Sequence, residues 1–85
     1  MNRNEAIESL NIIISECEEE IEWASEDGES PDEKLTAAVN KFNAIKANLT
    51  GKSDRWIACN GQLFDDLALV VHFNDYSAYQ AHGLL

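Results

Sequence analysis

The sequence predicts a small α+β protein in which an N-terminal antiparallel helical hairpin is followed by a β-hairpin and a short C-terminal helix. Apolar residues recur every three or four positions through the first half of the chain, as in amphipathic helices. In the second half, the turn-forming pair Asn60-Gly61 separates two apolar segments. Eighty-five residues suit one domain, taken as 1–85. A small all-α bundle is the alternative, because periodicity does not separate a short buried strand from a short buried helix.

The first helix is predicted over residues 4–24. Asn2 or Asn4 can cap its start, and Glu5 suits the positive end of the helix dipole. Its apolar positions step alternately by three and four and therefore share one face: Ile7, Leu10, Ile14, Cys17, Ile21 and Ala24.

The second helix is predicted over residues 31–50. Ser30 suits the N-cap, Pro31 the first helical position, and Glu33 would complete a capping box with Ser30. Gly51 is a natural stop. The short connection between the helices favours an antiparallel hairpin. The apolar face of this helix comprises Leu35, Ala38, Phe42, Ile45 and Leu49.

Residues 54–73 are predicted as a β-hairpin. The segment 55–59 suits one strand and the continuous apolar run 67–73 suits the other, with Asn60-Gly61 as the turn. Asp65 and Asp66 just before the run would cap a helix, which is the feature that favours the all-α alternative. A last short helix is predicted over 75–82, ended by Gly83.

The tail also resembles part of a known family. Asp66-Leu67-Ala68-Leu69-Val70-Val71-His72-Phe73, followed by Ala78-Tyr79-Gln80-Ala81-His82, is similar to the third strand and second helix of the stress-responsive α/β-barrel family. Members of that family are small ferredoxin-like dimers, so the resemblance implies a ferredoxin-like dimeric protein. It carries no site residue over to this chain.

The charge is unevenly distributed. The net charge is −10, yet residues 1–33 hold twelve acidic residues against one basic residue, Arg3. The remainder holds four acidic and five basic residues. This asymmetry indicates a basic protein partner and argues against direct binding of nucleic acid, whose phosphates repel acidic side chains.

The most acidic stretch lies at the end of the first helix. Five glutamates between positions 16 and 22 give about one charge per 2 Å of helix axis, close to the roughly 1.7 Å of duplex DNA. Glutamates four residues apart repel each other, and a stretch that breaks a local stability rule tends to mark function. The predicted partner-binding residues are Glu16, Glu18, Glu19, Glu20, Glu22, Trp23, Glu26 and Asp27.

Two apolar side chains frame these acids. Ile12, Glu16, Glu19 and Trp23 step by four, three and four, so Ile12 and Trp23 would anchor a partner at either end of the stripe. Two alternatives remain open from the sequence. The C-terminal segment could fold over Trp23, and the acids could be only a solvated face, partly matched by Lys34 and Lys41 across the hairpin.

No motif for catalysis, a cofactor or a metal is found: there is no Gly-rich phosphate loop, no C-x-x-C pair and no H-E-x-x-H. We therefore expect neither an enzyme nor a cofactor. Cys17 on the apolar stripe suggests a buried free thiol. Neither a secretory signal nor a membrane span is recognised, so we expect a cytoplasmic protein.

Physical character thus favours a small acidic inhibitor that occludes a basic surface on a nucleic-acid-handling enzyme. DNA mimics of phage, inhibitors of restriction or CRISPR complexes and bacterial immunity proteins against nucleases work in this way. The alternatives are a structural module that dimerises through its apolar C-terminal segment and the ferredoxin-like dimer. The sequence leaves both a monomer and a homodimer open.

Overall fold

A computed structural model describes all residues from 1 to 85, and every regular element in it is helical. The α-helices are α1 (Arg3–Glu26), α2 (Glu33–Asn48), α3 (Asp54–Cys59), α4 (Leu67–Phe73) and α5 (Ser77–Ala81). Two 3-10 turns, Leu49–Gly51 and Gly61–Phe64, follow α2 and α3. The predicted α+β fold is therefore wrong, and the all-α alternative is correct.

The predicted helical hairpin is present, with small shifts at its ends. Asn2 caps α1, where its side chain accepts a hydrogen bond from the Glu5 amide at 2.9 Å. The cap of α2 is Asp32, whose carboxylate accepts from the Lys34 amide at 2.9 Å. The predicted Ser30 cap is wrong, because the carboxylate nearest the first turn takes that role and Pro31 lies outside the helix.

The predicted β-hairpin over 54–73 is replaced by two short helices. Ser53 caps α3 by accepting from the Trp56 amide at 3.1 Å, and Asp66 caps α4 by accepting from the Leu69 amide at 3.4 Å. Asn60, the expected turn residue, ends α3 instead. The ferredoxin-like fold implied by the resemblance is also wrong. Residues 67–73, which resemble a strand of that family, are helical.

The predicted short C-terminal helix is confirmed at Ser77–Ala81. Asn74 separates it from α4 with a left-handed backbone (φ 51°), a conformation that asparagine tolerates better than most residues. None of the helices combines the length and apolar character needed to cross a membrane.

The core lies between α1 and α2 and is closed by the C-terminal helices. Ile14, Phe42 and Ile45 are buried as predicted, whereas Ile21 near the hairpin tip is only half-buried. Ile13 is buried although it lies beside the predicted stripe, because α4 packs along that side of α1. The small helices thus lie along the hairpin, with α3 near Arg3 and α4 near the start of α2, and the molecule is elongated, about 45 Å in its longest dimension.

Candidate functional site

The predicted partner-binding residues lie on the solvent side of α1, near the hairpin tip. Core packing uses one side of the helix, and these carboxylates are distributed over the rest of its circumference. Every one of the predicted residues is exposed. We call the carboxylates among them the acidic face: Glu16, Glu18, Glu19, Glu20, Glu22, Glu26 and Asp27.

No basic side chain of the protein pairs with the acidic face. The one ion pair in the structure joins Arg3 to Asp54 at 3.2 Å, at the opposite end of the hairpin. Lys34 instead donates to the main-chain oxygen of His72 at 3.3 Å, and the Lys41 ammonium lies 4.3 Å from the centre of the Tyr76 ring. Neither lysine forms an ion pair with the glutamates, although Lys34 lines the same cleft as Glu16 and Glu20.

The remaining lysines are also engaged away from the acidic face. Lys46 donates to the Asn11 side chain at 2.8 Å, and the Lys52 ammonium lies 4.8 Å from the Trp56 ring centre. The last turn of α1 contains no basic residue to offset the negative end of its dipole. No carboxylate of the acidic face therefore takes part in an ion pair within the chain.

The two expected apolar anchors are both exposed. Ile12 is 53% and Trp23 61% accessible to solvent, and their positions on α1 are about 16 Å apart along the helix axis. The C-terminal segment does not fold over Trp23, so that alternative is wrong. Tryptophan is among the residue types enriched in protein-binding surfaces.

A cleft that the sequence did not reveal opens beside the acidic face. It has a volume of about 350 Å³ and lies between α1, the start of α2 and α4. Glu16 and Glu20 belong to both the acidic face and the wall of this cleft, and Cys17 lies in its floor. The cleft could not be predicted from the sequence, because one of its walls is formed by Ala68 and His72 of α4, a segment predicted as a strand.

The buried thiol in the cleft floor is chemically quiet. Burial raises the pKa of Cys17, and the negative charges of Glu20, Glu16 and Glu18 raise it further. A nucleophilic cysteine needs the opposite shift, toward the thiolate. Cys17 therefore serves as a small apolar residue, as the sequence predicted for a buried free thiol.

A second exposed apolar patch lies on α4. Leu69 is 50% and Phe73 69% accessible, and they lie four residues apart on one side of the helix. The patch belongs to the C-terminal segment that the sequence offered as a dimer interface.

Comparisons with known proteins give no assignment: no protein-family model, no curated protein and no solved structure matches the chain.

Proposed function

We propose that the protein binds and occludes a basic, nucleic-acid-binding surface of another protein through the acidic face of α1. The observation that carries the proposal is that seven exposed carboxylates, within twelve residues at the end of α1, form no ion pair in the chain. Lysines and arginines arranged to hold a phosphate backbone would pair with them. A partner held in this way would lose its access to nucleic acid.

Electrostatics makes such a face suited to fast capture. A dense negative surface attracts a basic groove over a distance of about one Debye length, near 8–10 Å at physiological salt. Complementary charge mainly raises the association rate, while buried apolar contacts slow dissociation. The acidic face would speed association, and exposed Trp23 would slow dissociation.

The cytoplasm is the compartment we propose for this binding. Cys17 and Cys59 are both free, and Cys59 is exposed. Exposed free thiols persist where glutathione and thioredoxin keep them reduced.

A second candidate function rests on the α4 patch. Exposed Leu69 and Phe73 would suit a dimer interface, and burial of two large apolar side chains favours association. Light scattering after size exclusion, on the parent and on Phe73→Ser, tests this candidate. A parent that is monomeric at high protein concentration would exclude it.

The experiment for the main proposal is retention followed by competition. The protein is immobilised and exposed to a lysate of the cells that make it, beside a matched column of Glu19→Lys/Glu22→Lys. We expect proteins that are retained by the parent alone, released by salt and displaced by a DNA duplex. Retained proteins that a duplex does not displace, or that both columns hold equally, would contradict the proposal.

A further inference from the structure

The cleft beside the acidic face is one end of a longer trough between α1 and α4. A second depression of about 230 Å³ continues it toward the start of α4. The two share Ile13, Glu16 and Ala68, so they form one continuous surface. The α1 wall runs from Ser9 to Glu20, about 17 Å along the helix axis or three helical turns.

The floor of the trough is apolar but incompletely covered. Ile13 and Cys17 are buried beneath it, whereas Leu35 and Val71 remain only half-buried along its sides. The raised pKa of Cys17 keeps its thiol neutral, so the floor itself carries no charge. Apolar side chains of a partner can therefore remove further apolar area from water here.

The rim of the trough is acidic. Glu16 and Glu20 stand on the α1 side, Asp32 at one end, and Asp65 and Asp66 at the other. Lys34 is the one lysine on the rim, and its ammonium already lies against the main-chain oxygen of His72. The rim is thus net negative, which favours an occupant with basic residues flanking its apolar ones.

A second copy of the chain does not fit this description. Its N-terminal part, with twelve acidic residues against one basic residue, would be repelled by the acidic rim, and its remaining residues carry an excess of only one positive charge to attract it. A basic segment of another protein has the complementary charge. A trough of three helical turns between two helices also matches the way amphipathic helices dock, with anchors at i, i+4 and i+7.

We propose that the α1–α4 trough binds an amphipathic basic helix of the partner, with its apolar side chains over Ile13 and Val71 and its lysines or arginines against Glu16 and Glu20. This inference rests on the proposed function and specifies it. The acidic face attracts the partner, and the trough selects partners whose basic surface includes an exposed amphipathic helix.

Two synthetic peptides and one plugging variant test the trough. The first peptide is an amphipathic helix with leucine on one side and lysine on the other. The second has serine in place of every leucine at equal length and charge. Ala68→Phe fills the trough without changing charge, since Ala68 is exposed and lines both of its parts. Ala58→Phe is the matched control on exposed α3, outside the trough.

Binding is followed by NMR titration of the full-length protein at low salt. We expect the leucine–lysine peptide to bind at least about tenfold more tightly than the serine–lysine peptide. Its shifts should centre on Ile13, Cys17 and Val71. Ala68→Phe should abolish that preference and leave binding of the serine–lysine peptide unchanged, whereas Ala58→Phe should preserve it. Ala68→Leu replaces Ala68→Phe if the larger side chain unfolds α4.

The outcomes separate the trough from the acidic face. Equal affinity for the two peptides, or a preference that survives Ala68→Phe, overturns the trough and leaves the acidic face standing. Binding of the leucine–lysine peptide alone supports the trough and contradicts purely electrostatic capture by the acidic face. Failure of both peptides to bind overturns both proposals.

Discussion

The hydroxyl of Tyr79 donates a hydrogen bond to the main-chain oxygen of Leu63 at 2.6 Å and so fastens α5 to the 3-10 turn before α4. Neighbouring Tyr76 is equally buried, but its hydroxyl has no partner within the protein. Both rings pack on Phe42, with centroids 5.6 Å away for Tyr76 and 6.5 Å for Tyr79. The two tyrosines therefore share their packing on Phe42 and differ in this hydrogen bond and in the lysine, Lys41, that lies over the Tyr76 ring.

That difference predicts opposite effects of the same substitution. Tyr79→Phe should lower the free energy of unfolding by about 1 kcal/mol, because the buried Leu63 oxygen loses its donor. Tyr76→Phe should be neutral or stabilising, because it removes a buried hydroxyl that has no partner. Urea unfolding monitored by circular dichroism measures both. Equal losses for the two variants would contradict the assigned hydrogen bond.

Alkaline unfolding provides a second prediction. Burial raises the pKa of Tyr79 to about 12, and the neighbouring Tyr76 adds to the effect. The folded state thus disfavours the tyrosinate. The contribution of Tyr79 to the free energy of unfolding is therefore complete below its pKa in the unfolded chain, near 10, and is lost as pH rises toward 12. The free energy of unfolding of Tyr79→Phe should therefore lie below that of the parent by an amount that shrinks between about pH 9 and about pH 11.5. A constant deficit across this range would contradict the raised pKa.

The core between α1 and α2 predicts a large loss for one aromatic residue. Phe42 is fully buried against Tyr76 and Tyr79, so Phe42→Ala should lower the free energy of unfolding by about 3–5 kcal/mol. Ile21→Ala near the half-open hairpin tip should cost clearly less. A loss of less than about 1 kcal/mol for Phe42→Ala would contradict the packing of the hairpin.

The hairpin itself could be predicted because its apolar periodicity continues over many turns. Leu10, Ile14, Phe42 and Ile45 stand at helical spacing, and burial on one face follows directly. Residues 67–73 form too short a run for that signal. The β-branched side chains of Val70 and Val71 suit a strand locally. The segment is nevertheless helical, and as a helix it packs along α1 and buries Ile13.

End signals for the missed helices were present in the sequence. Asp66 caps α4 at its start, and Asn74 ends it in a left-handed conformation. Ser53 plays the capping role for α3. Asn60-Gly61 favours a hairpin turn locally, but Asn60 ends α3 instead. The exposure of Ile12 and Trp23 follows from helix geometry, whereas the trough depends on the helical conformation of α4 and does not follow from a strand at residues 67–73.

Repulsion within the acidic face predicts a stabilising substitution. Glu22 lies four residues from both Glu18 and Glu26, and neither pair has a basic neighbour to offset it. Glu22→Gln should therefore raise the free energy of unfolding by about 0.4–1 kcal/mol, and the gain should shrink in high salt. Glu29→Gln in the connection between α1 and α2 is the control, with an expected change near zero. A destabilised Glu22→Gln protein would mean that Glu22 has a structural partner.

The proposed capture by the acidic face is tested most directly by association kinetics with a retained, duplex-displaced partner. Glu19→Lys/Glu22→Lys is compared with Glu8→Lys/Glu29→Lys, which makes the same change in net charge at exposed positions outside the acidic face. We predict that the first pair slows association at least about tenfold at low salt and that the control pair slows it far less. Equal slowing by both pairs would reduce the effect to net charge alone, and unchanged association for Glu19→Lys/Glu22→Lys would contradict the acidic face as the binding surface.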